Sequence, residues 1–185
     1  MRDLPLEDYP LLGLALVVAQ RVEFALYGLA SHIAHSPEGQ KERRFRDLTP
    51  EKFLRGDPSE LKATLGQLVE AFGDALFIRT PDLVTFYQDR NFIAHDYYRA
   101  FGMSVGGHPQ RQGGREFLLK FIERAAFWED ILGGAIDFFK ERAAEKFGRS
   151  AELNFTQADR ERMRRYQEHA ATHPRVKAHL ESLVK

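Results

Sequence analysis

The chain has 185 residues, which suits one domain with an appended subdomain, and its formal net charge is zero. No global field therefore steers it to nucleic acid or membrane, and any polyanion site must come from local clustering. There is no cysteine, which excludes disulfides, thiolate catalysis and zinc sites that need sulfur.

The N-terminal stretch MRDLPLEDYP is acidic and holds prolines, unlike a signal peptide. The longest apolar run, residues 11 to 19, has nine residues, whereas a membrane-spanning helix needs about twenty. A cytoplasmic protein with no membrane partner is the expectation. A first helix is predicted from about residue 7 to about residue 34, with Leu12, Ala15, Leu16, Ala19, Val22, Leu26, Leu29, Ala30 and Ile33 at three- and four-residue steps. Its first half is apolar on most sides and reads as a central or an interface helix. A basic stretch follows, with Lys41, Arg43, Arg44 and Arg46, and one short helix is predicted after Thr49-Pro50.

Asp57-Pro58-Ser59-Glu60 is a helix start: a cap, a proline in the first helical position, and a glutamate near the first turn. The helix it opens is predicted to end near Phe72, before Gly73. Thr80-Pro81-Asp82 opens the next, predicted to run to about Phe101. The stretch from Gly102 to Gly114 has five glycines in thirteen residues and reads as a loop, with His108, Arg111 and Arg115 placed to close over a substrate. A long amphipathic helix is predicted over 115–147, with a bend at Gly133-Gly134. Thr156 and Asp159 form a capping box for a polar helix that Pro174 breaks, and a last short helix ends near Leu183. No segment shows sustained strand alternation. The predicted fold class is all-α, an up-and-down helical bundle of four to five core helices over 1–148, with a helical C-terminal extension over 149–185.

The helix after Thr80 carries the chemistry. At 100° per residue, Leu83, Phe86, Ile93, Tyr97, Ala100 and Phe101 share an apolar arc, and Arg90 falls inside it. Arginine is almost never buried without a partner, so Arg90 either meets a carboxylate, Glu23 or Glu70, or lines a wet cleft. Gln88, Asn91, His95 and Arg99 form a polar row, in which Asn91 and His95 are one turn apart. Arg90 and His95 lie about 140° apart on an ideal helix. They converge on one atom only if the helix bends or a second chain contributes.

The run Arg90-Asn91-Phe92-Ile93-Ala94-His95-Asp96-Tyr97 resembles the signature of the HEPN superfamily: an arginine, four residues, a histidine, one residue and a tyrosine, with asparagine after the arginine. It is most similar to the HEPN toxins of HEPN/MNT toxin–antitoxin modules. The resemblance covers roughly residues 8 to 147 and implies a bundle that dimerises beside the motif helix. The glycine loop and the extension after 148 depart from that pattern.

The resemblance implies an endoribonuclease, toxin or defence effector, that needs no metal or other cofactor. A ribose 2′-hydroxyl attacks the adjacent phosphorus while a base and an acid move protons and a cation steadies the transition state. Histidine, whose unperturbed pKa is near 6.5, suits the proton transfers, here as His95; Arg90 suits the phosphoryl oxygens; Asn91 suits orienting the phosphate or His95. In-line displacement needs acid and base on opposite sides, which a homodimer supplies by giving two motif histidines. A nucleotidyltransferase-type antitoxin is the implied partner, and Tyr97 is the implied acceptor of its adenylyl group; by its place on the apolar arc Tyr97 reads equally well as packing. The implied RNA contacts are Arg99, His108, Arg111, Arg115, Arg43 and Arg44. For the basic runs at 41–46 and 160–165, solvated charge is the plainer reading. A non-catalytic HEPN-like module that binds a nucleotide or a protein is the alternative, and an inert helical scaffold with Arg90 in an ion pair is a third. His169 and His173 have the four-residue spacing of a metal pair, but no third ligand accompanies them.

Overall fold

The computed structural model describes residues 8–34, 45, 48–49, 51–52, 65–102, 112–176 and 182. Among these residues there is no strand, and the architecture is an all-α bundle. Its helices are α1 (Asp8–Ile33), α2 (Leu65–Phe72), α3 (Pro81–His95), α4 (Gly114–Lys146) and α5 (Gln157–Ala171), with a π-helical turn at Tyr98–Gly102 and a 3₁₀ turn at Ser150–Glu152. The predicted short helix after Thr49-Pro50, the start of the helix capped by Asp57 and the last short helix lie partly or wholly outside the described residues.

Helix α4 is the axis of the bundle, packed along α1 on one side and α5 on the other. Its buried positions, Leu118, Phe121, Ala125, Trp128, Leu132 and Ala135, recur every three or four residues and so form one continuous stripe. Helix α1 buries Ala15, Ala19, Val22, Leu26 and Ala30 in the core, and its Arg21 pairs with Glu129 of α4 at 2.9 Å. Helix α1 also exposes Leu14, Val17 and Phe24, the last two at the cavity it shares with α4. By length and composition alone, α1 is apolar enough to cross a membrane, a property hidden by counting only the unbroken run before Gln20. Helix α3 docks through Leu83, Phe86 and Ile93, and the Phe86 ring stacks on Phe121 with centroids 4.7 Å apart and planes within 3°.

The segment after 148 reads from sequence as a separate polar extension; its helix is instead built into the bundle. Met163 and Tyr166 of α5 are buried, and the Tyr166 hydroxyl donates to the Leu76 carbonyl at 3.0 Å. The glycine pair of α4 explains how so polar a helix docks. A Cβ on Gly134 would lie 2.1 Å from the Arg162 carbonyl oxygen, so the two backbones touch there. Gly134 of the pair thus seats the neighbouring helix. The arginines of α5 answer carboxylates: Arg162 pairs with Asp137 at 3.0 Å and with Asp159, Arg164 with Glu161 and Glu168, and Arg165 with Asp130. The basic run at 160–165 is therefore largely matched by neighbouring acids. The capping box forms as the sequence predicts, with Asp159 N donating to Thr156 Oγ1 and Thr156 N donating to Asp159 Oδ2.

His169 and His173 close this end of the molecule; among the described residues no group of three or more potential metal-ligand side chains gathers. His169 lies edge-on to Trp128 and Phe127, with Nε2 buried and unpartnered. His173 is buried beside Phe77, its Nε2 3.5 Å from Asp74. Burial holds the His169 pKa below its ordinary value; the charge of Asp82 works against that shift and His173 adds to it. The neutral imidazole is the form that fits the fold. Its contribution is complete above pH about 6.5 and is lost as the pH falls through the depressed folded value. Urea midpoints should fall over that range, and His169→Leu should flatten that limb of the pH profile.

Candidate functional site

Helix α3 begins as its sequence dictates. Thr80 caps it by accepting from Leu83 N at 3.4 Å, Pro81 occupies the first turn, and Asp82 faces the positive end of the helix dipole. The helix ends at His95, earlier than the predicted end near Phe101. Asp96 leaves helical geometry with φ −121°, and its N–H still reaches the Phe92 carbonyl at 2.8 Å. A wider π turn follows at Tyr98–Gly102, and the apolar arc read from the sequence carries through it. Tyr97 and Phe101 enter the core while Tyr98 and Arg99 stay outside.

Arg90 lies on the apolar arc, as expected, and one of its two foreseen partners meets it. Its Nη2 donates to Glu23 Oε2 of α1 at 3.2 Å, and its Nη1 donates to Asn91 Oδ1 at 3.2 Å. Both members of the ion pair are only partly covered: the Arg90 side chain is 24% exposed and that of Glu23 18%. Glu70, the other candidate, is exposed. The adjacent Asp89 faces α4 instead and pairs with Arg124, a contact no sequence pattern announced.

His95 stands exposed in the last turn of α3, and no described residue engages its imidazole by a hydrogen bond or ion pair. Asn91, one turn back, is also exposed. Since α3 is regular from Pro81 to His95, Arg90 and His95 keep the roughly 140° separation of an ideal helix. A single chain brings together Glu23, Arg90 and Asn91 and leaves His95 apart. Cavities of about 610 Å³ lie between α1 and α4 and at the start of α3, and neither is lined by Arg90 or His95.

Tyr97 is a core residue, 1% exposed, ringed by Phe101 and Phe117. Its hydroxyl is buried with no hydrogen-bond partner among the described residues, and a Cβ on Gly114 would come within 2.8 Å of it. Burial first, then the charge of Asp8, pushes its pKa up to about 12. Packing is the role this geometry serves; a nucleotide could reach the hydroxyl only after the joint between Phe101 and Gly114 opens. An unsatisfied buried hydroxyl costs about 1–3 kcal/mol. Tyr97→Phe should therefore leave stability unchanged or raise it by about 1 kcal/mol in urea denaturation.

Of the other basic candidates, Arg99 pairs with Asp96, and Arg115 donates to Asp8 at 3.2 Å across the ends of α4 and α1. His108, Arg111, Arg43 and Arg44 lie outside the described residues. Neither family models nor curated proteins nor solved structures return a match to the chain.

Proposed function

We propose that the chain is a HEPN-type, metal-independent endoribonuclease that works as a homodimer, as a toxin or defence effector in the cytoplasm. The observation that supports this most is the state of His95. A histidine at the end of the motif helix, exposed and engaged by no described neighbour, one turn from Asn91, is placed to meet an added ligand. In this reading Arg90 grips the non-bridging phosphoryl oxygens, Asn91 orients the phosphate, and His95 serves as base or acid. The 2′-oxygen forms a bond to phosphorus, the 5′-oxygen bond breaks, and a 2′,3′-cyclic phosphate remains. A second copy supplies the opposite proton-transfer group, which one chain lacks. A nucleotidyltransferase-type antitoxin is the implied regulator, acting elsewhere than a sealed Tyr97 or on an opened form.

The second reading, a non-catalytic HEPN-like module that binds a nucleotide or a protein, is favoured by the Arg90–Glu23 pair, which already satisfies the motif cation. Incubating the chain with RNA in EDTA separates the two. The enzyme reading expects products ending in cyclic phosphate; intact RNA together with a dimer or partner lost on changing Arg90 would favour the binding module.

A further inference from the structure

The Arg90 guanidinium is neutralised from within. Glu23 approaches it from α1, with Oε2 3.2 Å from Nη2, and no other described cation pairs with that carboxylate. The pair sits at a wet edge of the bundle, so an incoming anion can reach Arg90, but it meets the Glu23 charge within a few ångströms. Like charges so close repel strongly at a protein surface. Asn91 holds the other end of the guanidinium through Nη1, so Arg90 has a second tether if Glu23 lets go.

We infer that Glu23 is a built-in competitor for the anion that Arg90 binds, and that a phosphodiester takes the guanidinium only by displacing this carboxylate or by sharing it against repulsion. The identity of that anion as RNA backbone rests on the nuclease reading above. The competition itself rests on the ion pair. Glu23→Gln keeps the length and shape of the side chain, and Gln Oε1 can still accept from Arg90, so the variant removes the charge with little change in packing.

The probe is a short fluorescent 2′-O-methyl RNA, which has no attacking hydroxyl, titrated into the full chain by anisotropy. Glu23→Gln should bind it about tenfold more tightly, which corresponds to about 1.4 kcal/mol. The slope of log affinity against log salt should steepen by about 0.7, as for one more phosphate neutralised. Glu23→Ala should give the same gain, and adding Arg90→Gln to either variant should abolish it. Unchanged affinity, a gain that survives loss of Arg90, or weaker binding would each overturn the inference; weaker binding would make Glu23 a positioning residue for Arg90. Cleavage of the matching unmodified RNA is scored in parallel. Tighter binding without cleavage by any variant defeats the nuclease reading and keeps the competitor, whereas cleavage by the parent chain with no change in Glu23→Gln does the reverse.

Discussion

Gly134→Ala should undock α5 or unfold the chain, at a cost above about 3 kcal/mol in chemical denaturation, the range of severe overpacking. The added carbon would sit 2.1 Å from the Arg162 carbonyl oxygen, 2.6 Å from its carbonyl carbon and 3.0 Å from Tyr166 Cβ. The first two are backbone atoms, so no rotamer change relieves them. The whole of α5 would have to shift, straining the Tyr166–Leu76 hydrogen bond and the Arg162–Asp137 pair. Gly133→Ala is the control. Its nearest neighbours are Nε and Cδ of the Arg162 side chain, at 3.4 and 3.5 Å, which can move aside. Alanine is also the better helix former by about 1 kcal/mol. The adjacent substitution should therefore be neutral or mildly stabilising, and equal losses at both positions would contradict the crossing described here.

On the nuclease proposal, His95→Ala should lower RNA cleavage by about 10²–10⁴-fold, the usual worth of a positioned acid or base. Because the imidazole is exposed and unengaged by described residues, the urea midpoint should stay within about 0.5 kcal/mol of the parent. Activity and stability then separate cleanly. Arg90 is a poorer probe. Its removal strands a partly covered Glu23 carboxylate, so a loss of activity would be mixed with a loss of fold. Full cleavage by His95→Ala would leave the nuclease reading without its proton-transfer group.

Much of the fold is legible along the chain because helices announce themselves locally. The apolar spacing of α1 predicts 7–34 and the structure shows Asp8–Ile33; the Thr80-Pro81 and Thr156–Asp159 signals mark true starts. Arg90 also speaks from sequence alone, since a guanidinium on an apolar arc demands an anion, and Glu23 was one of two within reach. What stays hidden depends on packing between distant segments. A glycine pair in a helix permits a bend, a close approach by another helix, or both, and the approach of α5 to Gly134 has no local signal. The 100° wheel already sets Tyr97 and Phe101 on the apolar arc, and both are buried beside Phe117, but the change to a π turn at Tyr98–Gly102 has no signal in the local pattern. The sealing of the Tyr97 hydroxyl beside Gly114 joins residues seventeen positions apart across the glycine loop, and no local pattern encodes it.

The position of α5 bears on how this protein can be dissected. Shortening the chain before Thr156 would uncover Trp128, against which His169 packs, and the carbonyl of Leu76 that Tyr166 satisfies, the latter in the turn that precedes the Arg90 helix. Such a fragment would offer a greasy, sticky flank and a loosened motif. An inactive truncation would then report lost solubility rather than a lost binding element, and fusions or domain exchanges must carry residues 156–173 along with the rest.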